Sequence, residues 1–376
     1  MIPVNEPLIS KASKKYVLDC LESGWVASGK YIEEFEKGFA NFIGTNYALT
    51  TSNGTAALHL AVAALGVKIG DEVIVPDLTL ISTALAVVYM GATPVLVDVE
   101  ASTGNIDPDK IEEKITKNTK AIMVVHLYGQ PAEMNPILKI ARKHKLAVIE
   151  DAAEAHGAEV KINAGWKKVG SIGDVGCFSF YGNKIVTSGE GGMVTTNDEK
   201  IYQKVKSLRD LAHDPKKRFF HKEIGFSYRM SNLQAALGLG QLEEAEKYLA
   251  KKRWMAKLYE QRLSTIEELE LPFEQPGTKS VWWMYAVRLQ AIGNRLQRDK
   301  LLQILKQKGV DTREFFVPLH LQPALLKLGL FKGEKYPMSL DLSKRGFYIP
   351  SGLAITEKQI NEVVKALKES IYSLSS

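Results

Sequence analysis

Cysteine is nearly absent: Cys20 and Cys177 are the two thiols in 376 residues. Two thiols cannot build a disulfide framework, so a reducing compartment, the cytoplasm, is the expected setting. No CxxC pair and no His/Cys cluster at zinc spacing occurs, so no metal is expected. The start, MIPVNE, lacks the basic stretch and apolar core of a secretory signal. A strong charge of one sign is also lacking. Lys+Arg 49 against Asp+Glu 43 leaves +6, spread along the chain. That is too diffuse for a nucleic-acid arm but suits an anionic small substrate. The densest basic stretch, Lys216-Lys217-Arg218 with Lys222, lies beside Asp214 and Glu223. It reads either as a solvated loop or as a lip for a phosphate-bearing ligand. One uncharged run, residues 78–97, has the length of a membrane span, but GATP at 91–94 is a turn signal inside it. A buried helix over about 80–90 and a strand over 95–99 are expected instead, and no membrane partner.

What is present is a repeating pattern. Short apolar runs at 73–75, 95–97, 121–125, 147–149, 177–180 and 193–195 alternate with helical stretches at 55–65, 81–90, 108–115 and 133–144. Continuously apolar strands are buried on both faces. The alternation predicts an α/β fold with a mainly parallel sheet, whose ligands sit at the carboxyl ends of strands. A helical region at 231–262 follows, and then the texture changes: a strand at 282–289, an amphipathic helix at 298–308, and a closing helix at 357–370. Two domains are expected, a large one over 1–250 that includes the N-terminal segment and a small α+β one over 251–376.

Three clusters carry chemistry. In Thr51-Ser52-Asn53-Gly54-Thr55 a strand gives way to an apolar helix. It is either a plain N-cap or an anion site, where free amides and the positive helix end meet a phosphate. Asp151, in EDAAEAHGA, ends an apolar strand. It either caps the next turn or pairs with a cation, since an unpaired buried acid is costly. Lys184, in GCFSFYGNKIVTSGEGGM, follows a buried strand and precedes a Gly-rich loop. A desolvated lysine is a usable amine nucleophile and base. An anion cradle, an acid for a ring nitrogen and an activated lysine are together what pyridoxal phosphate requires. His59 lies within an apolar helix and reads as a packed residue. His156 reads equally as a site or a structural residue. Trp282, Trp283 and Tyr285 read as packing for the small domain.

The pieces SNGTAALHLA, EDAAEAHGA, GCFSFYGNKIVTSGEGGM and YRMSNLQAALGLGQLE, in this order and spacing, resemble the DegT/DnrJ/EryC1/StrS sugar-nucleotide aminotransferases. The resemblance covers about 2–368. It implies the type I, aspartate-aminotransferase-like fold of pyridoxal-phosphate-dependent transferases. It implies Lys184 as the lysine that holds the cofactor aldehyde, Asp151 on the pyridine nitrogen, and Glu154 beside the ring hydroxyl. Gly54, Thr55 and Ser179 would contact the phosphate. Asn232 would reach the phosphate of a neighbouring subunit, which implies a homodimer with shared active sites. Arg229, His320 and His156 would lie on the substrate side. Where many relatives have an aromatic residue over the ring, this chain has Leu80, which would cover it by apolar contact. FSFYGNKI with EGG, and HLYGQPAEM at 126–134, are most similar to members that use L-glutamate to aminate GDP-4-keto-6-deoxy-mannose for polysaccharide or O-antigen synthesis. A UDP- or dTDP-linked keto sugar is the alternative substrate, and a non-catalytic binder of pyridoxal phosphate the alternative role.

Overall fold

Runs of consecutive β-branched residues have no polar face, so they need apolar cover on both sides. In the computed structural model, which describes residues 1–217, 219–290 and 295–375, they find it. The strands are β1 (Tyr47–Thr51), β2 (Glu72–Pro76), β3 (Thr93–Val97), β4 (Thr119–Val125) and β5 (Ala147–Asp151), then a hairpin of β6 (Glu159–Ile162) and β7 (Gly165–Lys168), then β8 (Val175–Ser179) and β9 (Gly192–Thr196). All but the hairpin form one seven-stranded sheet, in the order β1-β9-β8-β5-β4-β2-β3. Only β9 runs against the rest. Successive residues feed opposite layers, as the pleat requires: Val148 enters one core cluster and Ile149 the other.

Helices α1 (Lys11–Ser23), α2 (Lys30–Ile43), α3 (Gly54–Ala64), α4 (Ser82–Val88), α5 (Met134–His144), α6 (Glu199–Leu208) and α7 (Asn232–Leu242) occupy the intervals and flanks. The uncharged run at 78–97 divides as expected. It becomes α4 and β3, with Gly91 left-handed between them (φ 69°). Among the described residues no helix is long and apolar enough to cross a membrane.

Two expected helices differ. Residues 108–115 form two single 3-10 turns, Pro108–Lys110 and Glu112–Lys114, because Ile115 already turns extended (ψ 128°). The region 231–262 is two helices, α7 and α8 (Ala245–Leu263), broken at Glu244 (φ −98°, ψ 3°). Helix α8 bridges two cores. Its Tyr248 and Leu249 join the large core, whereas Met255, Tyr259 and Leu263 join a separate one.

That second core lies under an antiparallel sheet. The chain adds β10 (Leu269–Glu270), then β11 (Thr278–Lys279), which joins the β6–β7 hairpin, then β12 (Tyr285–Leu289), α9 (Arg295–Gln307), β13 (Arg313–Glu314), α10 (Pro323–Lys327), α11 (Pro337–Arg345), β14 (Gly346–Ile349) and α12 (Glu357–Ser375). The sheet order is β10-β12-β14-β13. The N-terminal residues pair here rather than with the large sheet: the Ile2 amide donates to Gly309 O (2.7 Å) and the Ser351 amide to Val4 O (2.8 Å).

Candidate active site

Three of the large sheet's segments end at one cavity of about 680 Å³. The start of α3 opens into it, with Gly54 and Thr55 in its wall. Asn53 caps the helix by accepting the Ala56 amide (2.8 Å), and Thr55 Oγ1 donates to Ser82 Oγ (2.9 Å). The first amides of a helix have no intrahelical partner, and the dipole favours an anion there. Ser179, the last residue of β8, faces this helix start so closely that a Cβ on Gly54 would lie 2.7 Å from Ser179 Cβ.

Asp151 ends β5 and is buried. Its Oδ2 accepts from Thr83 Oγ1 (3.0 Å) and its Oδ1 from the Ala153 amide (3.3 Å). Burial raises its pKa, opposed by the Thr83 hydroxyl and by the Lys184 charge. Its neighbour Glu150 points to the opposite side of β5 and is fully buried. That carboxylate accepts from the amides of Gly170 (2.8 Å), Ile172 (2.7 Å) and Gly173 (2.6 Å), and it pairs with His126 Nε2 (3.1 Å). His126 Nδ1 accepts the Ala132 amide, which leaves Nε2 as the donor.

Lys184 follows β8. Its Nζ lies 3.6 Å from Glu154 Oε1 and 3.6 Å from the centroid of the Trp283 ring. Glu154 Oε2 accepts the Tyr128 amide (2.8 Å). Burial pushes the Lys184 pKa down and the Glu154 pKa up, and the attraction of opposite charges counters both. The result is an amine closer to its nucleophilic form than a surface lysine.

These residues fit pyridoxal phosphate. The helix start offers amides to a phosphate. A carboxylate has about four acceptor sites, and Asp151 retains capacity for a cationic ring nitrogen that would also relieve its burial. The amine lines the same cavity.

The DegT/DnrJ/EryC1/StrS aminotransferase family matches residues 7–368. The chain belongs to this family. The GDP-perosamine synthase of Caulobacter vibrioides is 44% identical over 98% of each chain, and that of Escherichia coli O157:H7 is 40% identical, again over 98% of each. The solved structure of the aminotransferase from Psychrobacter cryohalolentis superposes with a TM-score of 0.92, at 32% identity and over 100% of both chains. As a member of the DegT/DnrJ/EryC1/StrS family, the protein is a pyridoxal-phosphate-dependent sugar aminotransferase with the fold that the sequence pieces implied.

Gly54, Thr55, Asp151, Glu154, Ser179 and Lys184 therefore come together, with Leu80, half exposed, in the same wall. Four expected site residues lie elsewhere. Asn232 opens α7 and is buried. Its Oδ1 accepts the Tyr31 amide (3.1 Å), and its Nδ2 donates to Trp25 O (2.6 Å) and Cys20 Sγ (3.2 Å). Its side chain thus bonds to three residues of its own chain and lies outside the cavity of its own subunit. Arg229 pairs with Asp210 outside the cavity. His320 is pinned through Nδ1 to Asp77 Oδ2 (2.7 Å), itself fully buried at the end of β2. His156 is stacked against Phe178 and Phe180 behind β8. His59 packs as expected, with Nδ1 3.1 Å from Tyr228 Oη.

The basic stretch does not line the cavity. Lys222 pairs with Asp214 (2.6 Å), and Arg218 lies outside the described residues. Two contributors were missed. Thr83 sits one helical turn from Thr79, and nothing in its spacing marks it. Trp283 comes from the start of the second sheet to line the cavity, rather than only packing its own domain.

Proposed function

We propose that the protein transfers the amino group of L-glutamate to C4 of GDP-4-keto-6-deoxy-mannose, giving GDP-perosamine for polysaccharide or O-antigen synthesis. One observation carries the reading: a lysine whose side chain is only 9% exposed, two buried carboxylates and a helix start share one cavity. The choice of sugar nucleotide is supported by 44% identity to a GDP-perosamine synthase over nearly the whole of both chains. Bound pyridoxal phosphate supplies an aldehyde that takes up the amino group and a ring that withdraws electrons. The amides of Gly54 and Thr55 and the Ser179 hydroxyl would hold its phosphate. Asp151 would keep the ring nitrogen protonated, and Glu154 would lie beside the ring hydroxyl. Lys184 Nζ would hold the aldehyde and, once free, would carry a proton from the α-carbon of glutamate to the cofactor carbon and, in the return half, from that carbon to C4 of the sugar.

The reading includes two units, over about 1–250 and 251–376, and a cytoplasmic setting in keeping with two free, buried thiols. It also includes a homodimer. Leu18, Leu21 and Trp25, along and just past α1, are all more than half exposed, and such apolar faces are usually covered. Light scattering should give twice 41.7 kDa, and a monomer would remove the dimer from the proposal.

The test is direct. Glutamate added to the loaded enzyme should bleach the visible band of the cofactor and release 2-oxoglutarate. Lys184→Ala should show neither the band nor the release. No bleaching in the wild type sinks the transaminase. Equal turnover of GDP-, UDP- and dTDP-linked 4-keto-6-deoxy sugars sinks the choice of GDP.

A further inference from the structure

Two contacts from one side chain converge on Lys184. The Lys184 Nζ stands 3.6 Å from the centroid of the Trp283 ring, over its face. The indole Nε1 of Trp283 donates to Asn183 O (2.8 Å), the carbonyl of the peptide that enters Lys184. Trp283 is itself buried and held from behind. Buried Lys252 donates from Nζ to Trp283 O (2.8 Å) and to Ser351 O. Gly129, left-handed at φ 95°, lets the backbone pass, since a Cβ there would lie 2.8 Å from Trp283 N. The Val281 amide donates to Gly129 O (3.1 Å). The indole is thus clamped at its backbone before it touches the lysine.

We propose that Trp283 is the positioning residue of Lys184: its ring face holds the amine, and its N–H fixes the peptide before it. The proposal rests on Lys184 being the reacting amine. A ring face attracts the charged amine and not the neutral one. Trp283 therefore counters the burial that favours the neutral form, and it does so at one place. The other groups facing Lys184 are Glu154 and Asp151, which also favour its charge, and His156, kept neutral by burial. Lys252 lines the narrow cleft on the far side of the Lys184 segment.

The test reads Lys184 in the full chain freed of cofactor and needs no glutamate. Trace acetylation with acetic anhydride across a pH series, followed by peptide mass spectrometry, gives the titration midpoint of each lysine. Trp283→Leu should lower the Lys184 midpoint by about 0.5–1.5 pH units and leave Lys252, which is bonded to carbonyls, in place. Trp283→Phe should recover most of the shift. Should the leucine variant fail to fold, wild-type chain grown with fluorinated tryptophan decides. Fluorine weakens the ring's attraction without changing its shape, so the Lys184 midpoint should again fall. An unmoved Lys184 midpoint in both the leucine variant and the fluorinated protein overturns the proposal. So does a phenylalanine variant shifted as far as the leucine one. A normal Lys184 shift in an enzyme that fails the glutamate test would sink the function and not this inference.

Discussion

His156 should make the protein acid-sensitive by an amount that can be worked out. The imidazole is buried, stacked on Phe178 and Phe180, and its Nε2 has no partner among the described residues. Burial, and secondarily the Lys184 charge, depress its pKa from 6.5 to about 3. In the unfolded chain the ring binds a proton below about 6.5. Between these values the unfolded state binds more protons, so folding stability must fall as pH falls. At pH 8 the contribution is close to zero. At pH 5 the unfolded ring is protonated about thirty to one and the folded ring is neutral, which costs about 2 kcal/mol. His156→Phe keeps an aromatic of similar size in the stack and removes the titration. Urea unfolding of both proteins at pH 8 and pH 5 isolates the effect, because every other group cancels in the difference. The wild type should lose about 2 kcal/mol more than the variant on going to pH 5. Equal pH dependence of the two would refute the reasoning, and with it the neutral state of the ring.

Three further outcomes follow from the site. Asp151→Asn should slow the single-turnover reaction with glutamate by at least about a hundredfold, the cost of removing one partner of a buried charge pair; a change under about threefold by stopped flow would mean the ring nitrogen is held otherwise. Gly54→Ala places a Cβ 2.7 Å from Ser179 Cβ, and overpacking of this kind costs about 1–3 kcal/mol. Cofactor titration should therefore show about five- to 150-fold weaker binding, and unchanged binding would remove the helix start from the phosphate site. Leu80→Tyr should tighten cofactor retention about two- to tenfold, the worth of an aromatic stack; weaker retention would place Leu80 away from the ring face.

The large sheet was legible because most of its strands are continuous apolar runs. The cofactor cluster was legible because its contributors are at, or a few residues past, the end of a strand or at the start of a helix, where local sequence carries the signal. Residues that act at a distance were not. Trp283 stands ninety-nine positions after Lys184, and two adjacent tryptophans on an approaching strand carry no sign of which one turns inward. His156 lies two residues past Glu154 in the same motif, yet it follows a turn that sends it behind β8. Asn232 matched a motif, and within its own chain its amide bonds to Cys20, Trp25 and Tyr31, far earlier in the sequence. His320 answers to Asp77, an acid in a different part of the chain. In each case the deciding contact spans far more sequence than any local pattern.

Glu150 and Asp151 are adjacent acids on opposite faces of one strand, and this has a bearing on how the protein folds. A slip of β5 by one position would carry each acid to the other's face. Apolar Ile149 or the shorter Asp151 would then take its place, and the three backbone amides of the 170–173 turn, with His126, would lose the reach of the Glu150 carboxylate in a dry interior. Each such orphan costs about 1–3 kcal/mol. The misaligned strand would therefore be rejected by the far side of the sheet before any cofactor arrived. A residue that never faces the cavity thus acts as a proofreader for the one that does.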